Sequence, residues 1–425
     1  MTDTIFALSS GAPPAALGII RISGPSARDA LAALAGEVPE PRRASLRVLK
    51  DGKGEALDQA LVLWFPGPDT ATGEDLVELH CHGGRAVIAG VERALGALHG
   101  FRRAEPGEFT RRAFANGRLD LAEAEALADL LSAETELQRR AAQSAFGGAI
   151  SEQVEAWREE ILRLGAQLEA ALDFSDEDDV SELPEAFFNQ VSTLSEAMRH
   201  WLARPAAERL RDGVRVVLAG PPNSGKSSLF NALLDDAAAI ISPQAGTTRD
   251  VIERPVALGG IPLVLVDTAG LRLAQDDAIE AMGIERAQAE IAQADLVLWL
   301  GPEGEGPHSA LEIQTKADLA DALPKLAPDF VVSAQSRVGM EVLEAGIMER
   351  ASALLPKPGQ AALNARQRAM TRDAYDALVA IAPGTDLLII GEHLRSARRA
   401  FDALLGRDST EEMLDALFGR FCIGK

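Results

Sequence analysis

The sequence has few cysteines and no long apolar run, and both shortages exclude classes of protein. Only Cys81 and Cys422 occur among 425 residues, so neither a disulfide framework nor a four-cysteine zinc site can form. No apolar run reaches the ~18 residues of a membrane span, and the N-terminus lacks the basic start and apolar stretch of a signal peptide. We therefore expect a protein of the reducing cytoplasm that is neither exported nor membrane-spanning.

Positive charge is also scarce. The chain has 42 Lys and Arg residues against 64 Asp and Glu residues, which gives a net charge of −22. An acidic surface repels a free polyanion, so any contact with nucleic acid must be local or shared with a partner. The length predicts about three domains of ~150 residues each, and 47% hydrophobic residues suffice for several cores.

The first hundred residues predict a small α/β or α+β unit, with strands over Gly18–Gly24 and Leu61–Phe65. Arg21 is either an arginine on an edge strand that faces water, which is the commoner case, or an anion-binding group on a rigid strand. Glu78 is either an acceptor for ligand N–H groups or an ordinary solvated carboxylate. The run His80–His82 disfavours a metal site, because alternate residues of a strand point to opposite faces.

Helical sequence occurs on both sides of the middle of the chain. Leucine and alanine recur at helical spacing from Leu121 to about Ala171, and Asp120 is a candidate N-cap. Helices are also predicted over Glu185–Arg204, then from Ala361 to Val379 and from Glu392 to Leu405. Ser409 or Thr410, followed by two glutamates, predicts the start of a last helix.

The stretch Gly220–Ser228 reads Gly-Pro-Pro-Asn-Ser-Gly-Lys-Ser-Ser, between an apolar strand and a helix. This spacing predicts a phosphate-binding P-loop, because the two glycines let backbone N–H groups point at a phosphate. Lys226 reaches the β- and γ-phosphates, Ser227 can ligate Mg²⁺, and the helix N-terminus adds its dipole.

Two later segments match the switches of a nucleotide hydrolase. Thr248, in the run 246–250, stands where a hydroxyl completes the Mg²⁺ shell. A strand ending at Val266 delivers Asp267, which can hold Mg²⁺ through water, and the N–H of Gly270 can sense the γ-phosphate. Leu271 follows, where Ras-like enzymes carry the glutamine that orients water.

The segment Thr315-Lys316-Ala317-Asp318 stands where a guanine-reading Asn-Lys-x-Asp is expected. Asp318 accepts two hydrogen bonds from guanine, a pairing that adenine does not supply, so GTP is favoured over ATP. Thr315 in place of asparagine is a departure that we expect to weaken guanine affinity. Ser333 and Ala334 form the turn that cradles the base.

These motifs resemble the MnmE (TrmE) family of tRNA-modification GTPases over nearly the whole chain. Besides the GTPase elements, the matching segments are Gly18–Gly24, Thr72–Asp75 with His82–Gly84, Pro106–Phe109, Leu119–Leu121 and Cys422–Lys425. The resemblance implies a multi-domain α/β and all-α protein. Its expected parts are a small folate-binding and dimerisation domain (1–116), a discontinuous helical domain (117–210 and 351–425), and an inserted Ras-like P-loop GTPase domain (211–350), a parallel sheet with flanking helices.

The resemblance also implies a pocket for a tetrahydrofolate derivative, either 5-formyl- or 5,10-methylene-tetrahydrofolate. Its positions fall on Arg21, Glu78, Arg118 and Lys425, and Arg118 stands where the family commonly has lysine. The terminal Cys422 is most often a small apolar residue or a frayed end. A catalytic role for it near this pocket is implied by the resemblance alone.

Potassium activation and pairing of GTPase domains within a homodimer are further implications of the resemblance. The potassium site falls on Asn223, Ser242, Gln244 and Thr247, and Glu280 orients the attacking water, although it could instead be an exposed carboxylate at a helix start. The expected GTP contacts are Asn223, Ser224, Gly225, Lys226, Ser227, Ser228, Ser242, Thr247, Thr248, Asp267, Thr268, Ala269, Gly270, Thr315, Lys316, Asp318, Ser333 and Ala334.

The implied function is a GTPase that helps to modify C5 of the wobble uridine of certain tRNAs. It would use one-carbon units from bound folate and act with an FAD-containing partner of the MnmG (GidA) family, which could carry most of the tRNA contact. A ribosome-assembly GTPase shares the Gly-Thr-Thr-Arg-Asp switch, and a regulatory GTPase acting through protein contacts is a second alternative. Binding of 5-formyltetrahydrofolate distinguishes the folate-dependent enzyme from these.

Overall fold

A computed structural model of the chain describes residues 3–173, 183–239, 252–268, 287–319, 324–357, 359–408 and 410–424. The strands are β1 (Thr4–Leu8), β2 (Leu17–Ser23), β3 (Ser45–Lys50), β4 (Ala56–Phe65), β5 (Leu76–His82), β6 (Phe101–Arg103), β7 (Val214–Ala219), β8 (Ala238–Ala239), β9 (Ile252–Leu258), β10 (Ile261–Asp267), β11 (Leu296–Trp299), β12 (Leu311–Gln314) and β13 (Phe330–Val331).

The helices with both ends in these ranges are α1 (Ala27–Ala35), α2 (Arg85–Gly96), α3 (Glu108–Ala115), α4 (Leu121–Ser132), α5 (Glu136–Ser144), α6 (Ile150–Asp173), α7 (Glu185–Leu202), α8 (Ala207–Asp212), α9 (Lys226–Asp236), α10 (Met340–Ala353), α11 (Ala365–Val379), α12 (Leu387–Leu404) and α13 (Glu411–Phe418). Residues 287–293 are also helical. The chain divides into two compact units, Met1–Ala128 with Asp402–Lys425, and Asp129–Phe401.

The first unit contains a six-stranded sheet in the order β3-β4-β5-β2-β1-β6, formed wholly within residues 3–173. One face carries apolar residues such as Ile20, Val62 and Leu79, which form a core with residues of α1 and α2. The expectation that Arg21 is an exposed edge-strand residue is wrong. Because β2 pairs with β5 on one side and β1 on the other, Arg21 lies on an interior strand and is half-buried.

The C-terminal segment completes this first unit. Phe418 of α13 packs in a cluster that includes Leu121 and Phe421. Gly107 has φ +70, and a Cβ there would lie 2.2 Å from the Phe418 carbonyl oxygen, so only glycine permits this approach. Both predicted caps are confirmed: Asp120 and Glu123 form a reciprocal capping pair, and the Thr410 hydroxyl accepts from the Met413 N–H.

In the second unit, the predicted apolar stripe is buried along α6, for example at Leu164 and Leu168, whereas Leu131 of α4 is 48% exposed. Trp157 of α6 stacks on Phe401 at 5.6 Å and meets Trp201 edge-on at 5.8 Å between ring centroids. The helical run expected from Leu121 to about Ala171 is divided into α4, α5 and α6. A π-helical turn over Ala145–Ala149 joins α5 to α6, and Gly148 there has φ +90.

The second unit also contains a sheet whose described strands have the order β13-β12-β11-β7-β10-β9-β8. The strands from β13 to β10 run parallel, while β9 pairs antiparallel with both of its neighbours, β10 and β8. The central β7 reads Val-Arg-Val-Val-Leu-Ala, with most of its residues buried, as expected for a strand covered on both faces. The carboxyl ends of β7 and β10 therefore meet at the same edge of the sheet.

The connection between the parallel neighbours β11 and β12 is short. Such strands are ordinarily joined by a crossover of about a dozen or more residues, most often a helix, but residues 300–310, all described, contain none. The connection instead wraps around Trp299. A Cβ on Gly301 or Gly306 would lie 2.4 Å or 2.6 Å from atoms of the Trp299 ring, so both glycines are required for this packing.

Candidate nucleotide site and polar cluster of the N-terminal sheet

The P-loop lies between β7 and α9, as the sequence predicts. Gly220 and Gly225 have φ +147 and +98, a region that favours glycine. A Cβ on Gly220 would lie 3.0 Å from the Gly301 nitrogen, so the loop could not keep this path with another residue. Asn223 also has a positive φ, +62, which asparagine tolerates better than most residues.

The Lys226 ammonium lies at the loop itself. The side chain is 6% exposed, and Nζ donates to the carbonyl oxygens of Gly220 at 2.9 Å and Pro221 at 2.7 Å. The positive charge is thus held beside the turn of backbone that precedes the N-terminus of α9. This arrangement suits an anionic phosphate, which also gains from the helix dipole.

Two candidate magnesium-binding groups come together at the edge of the sheet. Ser227 Oγ donates to Asp267 Oδ2 at 2.8 Å, and Asp267 is almost fully buried at the end of β10. A hydroxyl and a carboxylate are the hard oxygen ligands that Mg²⁺ prefers, so these residues fit the ion. Thr268 is oriented differently, since its hydroxyl donates to the Leu218 carbonyl oxygen at 2.8 Å.

The candidate guanine-binding loop is tied directly to the P-loop. Thr315 Oγ1 donates to the Ser224 carbonyl oxygen at 2.7 Å, and Lys316 Nζ donates to the Asn223 carbonyl oxygen at 2.8 Å. Asp318 is exposed beyond this contact, where a base could reach it. The next turn is anchored by the buried Ser333, whose Oγ accepts from the Ser336 N–H at 3.1 Å.

A cavity of about 770 Å³ joins these elements. Its lining includes the P-loop, Thr268 and Lys316, and also residues that the motifs do not identify: Gln288, Ile291, Trp299, Pro302 and Glu305. The glycines that follow Trp299, Gly301 and Gly306, were the available signal, since a glycine-rich connection after a buried strand marks a close approach. Other predicted positions lie outside the described residues, namely Ser242, Gln244, Thr247, Thr248, Ala269, Gly270, Glu280 and Lys425.

The N-terminal sheet carries a polar cluster on the face opposite α1 and α2. Arg21 and Glu78 face each other across β2 and β5, with Arg21 Nη2 2.9 Å from Glu78 Oε1. His80 Nε2 lies 3.2 Å from Glu78 Oε2. Burial raises the pKa of Glu78, but the hydrogen bonds with His80 and Arg21 outweigh it and hold that pKa below its ordinary value. Glu78 is therefore a paired carboxylate rather than a freely solvated one.

Of the other positions predicted for this pocket, the structure describes Arg118 and Cys422. Arg118 is exposed and lies 3.3 Å from Asp69. Cys422 is exposed and belongs to a tail that crosses near the sheet: Ile423 pairs with Pro106, and a Cβ on Gly424 would lie 2.2 Å from the Leu8 carbonyl oxygen.

The histidine and cysteine run on β5 behaves as its alternation predicts. Cys81 is buried, and burial raises its pKa to about 12 with a further contribution from Asp58. His82 instead faces outward and lies 2.7 Å from Asp58. Within the described ranges, no group of three or more His, Cys, Asp or Glu residues is arranged to hold a metal ion.

A P-loop, a hydroxyl–carboxylate pair and a Thr-Lys-x-Asp loop at the carboxyl edge of a largely parallel sheet define a P-loop GTPase. The family model described as the MnmE helical domain matches residues 121–422, and that of the GTP-binding protein TrmE N-terminus matches residues 4–118. The chain therefore belongs to the MnmE (TrmE) family of tRNA modification GTPases, which confirms the resemblance and the expected fold class and enzyme class.

Curated relatives agree over the full length. The tRNA modification GTPase MnmE of Erythrobacter litoralis is 64% identical over 423 residues, covering 100% of each chain. The protein of the same name from Novosphingobium aromaticivorans is 56% identical over 437 residues, again covering 100% of each. Among solved structures, Era of Aquifex aeolicus bound to GDP and AlF4− is 22% identical over 40% of this chain and 68% of that chain, with a TM-score of 0.24.

Family membership brings GTP and Mg²⁺ as ligands, and the residues at the P-loop fit both. In the part of the chain that the structure describes, every helix is too short or too polar to span a bilayer.

Proposed function

We propose that this GTPase takes part in modifying C5 of the wobble uridine, U34, of certain tRNAs in the cytoplasm. The observation that carries the proposal is that one chain combines the described P-loop elements with a second polar cluster around Arg21 and Glu78. A GTP switch alone requires only the first of these.

At the nucleotide site, Lys226 holds the β- and γ-phosphates and Asp318 reads guanine. Ser227 and Thr248 would hold Mg²⁺ directly and Asp267 through water, and the ion would supply positive charge to the phosphates. Glu280 orients the attacking water. Asn223, Ser242, Gln244 and Thr247 would hold K⁺, which would supply the additional positive charge that an arginine finger supplies in other GTPases.

The polar cluster fits a tetrahydrofolate derivative, which supplies one-carbon units when bound. Glu78 is ionised and half-buried, so it can accept N–H groups of a heterocycle, and Arg21 lies 5.9 Å from the Phe109 ring centroid, which adds an aromatic wall. Arg118, Lys425 and Cys422 complete the proposed pocket. The crossing of the C-terminal tail beside Leu8 supports the inclusion of the last residues.

Homodimerisation is supported by an apolar patch on the first unit. Leu46, Val48 and Leu61 are exposed by 57%, 44% and 38%, and Leu46 pairs with Leu61 across β3 and β4. Exposed neighbouring apolar side chains of this kind often mark a contact surface. A second copy of the chain is the proposed occupant, and an FAD-dependent MnmG-type partner is proposed to carry most of the tRNA contact, which suits the net charge of −22.

The test is mass spectrometry of wobble nucleosides from cells that lack this chain. We expect the C5 aminomethyl-type modification to disappear and to return on complementation with the wild type. Asp267→Asn and Glu78→Gln should both fail to restore it, whereas the exposed surface variant Glu40→Gln should succeed. Unchanged nucleosides in the deletion strain would contradict the proposal and favour a ribosome-assembly or regulatory GTPase.

A further inference from the structure

The carboxylate of Glu78 is held from two sides. Oε1 accepts from Arg21 Nε at 3.2 Å and from Arg21 Nη2 at 2.9 Å, while Oε2 lies 3.2 Å from His80 Nε2. Glu78 and His80 are two residues apart on β5, so their side chains share one face of the sheet. Arg21 reaches the same face from β2, directly opposite Glu78.

The hydrogen bonds of this cluster lie in partly buried surroundings. His80 is opposite Leu61 on β4 and Ile19 on β2, and Leu63 is opposite Glu78. The side chains of Glu78 and His80 are only 18% and 23% exposed. Hydrogen bonds between partly desolvated groups are electrostatically stronger than hydrogen bonds in water, so each one strongly influences the orientation of the carboxylate.

A count of acceptor positions identifies the role of His80. An ionised carboxylate offers about four acceptor positions, two on each oxygen. The two N–H groups of Arg21 occupy those of Oε1, and His80 occupies one of those on Oε2. The position that remains for a ligand is therefore on Oε2, beside the imidazole.

We propose that His80 is a positioning residue of the N-terminal pocket: its Nε2–H donates to Oε2 of Glu78 and so directs the remaining acceptor position towards a ligand N–H group. This inference rests on the proposed folate-binding function of the cluster, and the class of ligand is a fused heterocycle that carries N–H donors. The imidazole acts through Glu78. It bears its proton on Nε2, whether neutral or charged.

The experiment is isothermal titration of the full-length chain with 5-formyltetrahydrofolate, comparing the wild type with His80→Leu and His80→Gln. Leucine removes the donor, whereas the glutamine amide nitrogen has a reach similar to that of His Nε2. We expect His80→Leu to bind about tenfold more weakly, the size of one ordinary hydrogen bond, and His80→Gln to bind within about twofold of the wild type. Recovery by glutamine is what a purely structural role of His80 would not produce.

Matched variants make the result decisive. His82→Leu removes another histidine–carboxylate pair from the same strand and should leave binding unchanged. If His80→Leu does not fold, His80→Asn replaces it, because its amide is too short to reach Oε2, and the comparison with His80→Gln decides the same question. Equal affinity of His80→Leu, or of His80→Asn, and the wild type overturns the role of His80. No binding by the wild type overturns the proposed folate pocket itself.

Discussion

At the scale of the residue, Thr315 departs from the expected asparagine but contacts the P-loop through its hydroxyl. The threonine hydroxyl donates to the Ser224 carbonyl oxygen, next to the contact between Lys316 and Asn223. Two adjacent residues of the guanine-binding loop therefore hold two adjacent carbonyl groups of the P-loop. Weaker guanine affinity than with asparagine remains a prediction, because the hydroxyl has no second polar atom.

Thr315→Val tests how much the hydrogen bond from Thr315 to the Ser224 carbonyl oxygen contributes to nucleotide binding. Valine has the same shape but no hydroxyl, so the Ser224 carbonyl oxygen loses a partner at a cost of about 1 kcal/mol. We expect GDP to bind about fivefold more weakly, as measured by equilibrium titration with a fluorescent GDP analogue at constant Mg²⁺. Thr315→Ser keeps the hydroxyl and should bind as the wild type does. Equal affinities for all three proteins would show that this hydrogen bond does not stabilise the nucleotide site.

Asn223 offers a test of the proposed potassium site. Asn223→Gly removes the side-chain oxygen but permits the local φ of +62, so the loop keeps its path. The wild type should hydrolyse GTP at least tenfold faster in K⁺ than in Na⁺, a minimum that corresponds to about 1.4 kcal/mol of transition-state stabilisation. The variant should hydrolyse at the slow rate in both salts. Turnover that does not depend on the cation in the wild type would count against Asn223 as an ion ligand.

At the scale of the element, Arg112 and Glu108 of α3 anchor that helix to the sheet. The fully buried Arg112 donates to Asp3, Glu74 and Glu108, and Arg102 of β6 also binds Asp3 and Glu108. Burial raises the pKa of Glu108, but the hydrogen bonds from Arg102 and Arg112 and from the Glu105 N–H outweigh it and lower that pKa below its ordinary value.

Because the pKa of Glu108 is lower in the folded state than its ordinary value, the ionised carboxylate stabilises the folded protein. The contribution of the Glu108 carboxylate is present above the ordinary pKa of about 4.3 and is lost as the pH falls through the lower folded-state value. We expect Glu108→Gln to reduce the free energy of unfolding at pH 7 by about 2 kcal/mol, and the difference from wild type to shrink at pH 3.

Urea unfolding at the two pH values measures this difference. Glu40→Gln, which alters an exposed surface pair, is the control and should match the wild type at both. A Glu108→Gln deficit that stays constant with pH would contradict the role of the ionised form.

The elements differ in how far sequence predicts them. The strands Val214–Ala219 and Leu263–Val266 are predictable because buried parallel strands are nearly continuous apolar runs, and β7 and β10 contain them. The position of Arg21 is not, because strand order depends on pairing between distant segments. The division of the long helical run at Gly148 likewise depends on a local φ of +90 that composition does not specify.

The P-loop, Asp267 and the Thr-Lys-x-Asp loop are predictable, whereas Gln288 and Trp299 become neighbours of the site only through packing.

At the scale of the whole molecule, the C-terminal segment belongs to the same compact unit as the N-terminal residues. The cluster around Phe418 unites α13 with residues near Leu121, nearly three hundred positions earlier in the sequence. Both segments belong to the same compact unit. The predicted division at residues 116, 210 and 350 remains a prediction, but the first unit is completed by the C-terminal segment.

Phe418→Ala tests whether the C-terminal segment stabilises the first unit. Truncation of a fully buried phenylalanine ordinarily costs about 3–5 kcal/mol, and Phe418 also approaches Phe114 and Phe421 at 6.1 Å between ring centroids. We expect faster hydrogen exchange of the β1 and β2 amides in this variant. Ile423→Ala, at a residue that is 59% exposed, should leave exchange rates unchanged. Unaltered exchange in Phe418→Ala would mean that α13 does not stabilise the sheet.

The connection between β11 and β12 packs around Trp299, so the fluorescence of this residue can report on the cavity at the P-loop. Of the four tryptophans, Trp299 lines the cavity at the P-loop, whereas Trp157 and Trp201 pack edge-on between helices and Trp64 lies on the N-terminal sheet. We expect nucleotide binding to change the polarity around the Trp299 indole and to leave that around the other three unchanged. Intrinsic tryptophan fluorescence should therefore report nucleotide binding without a label, and Trp299→Phe should abolish the change in fluorescence.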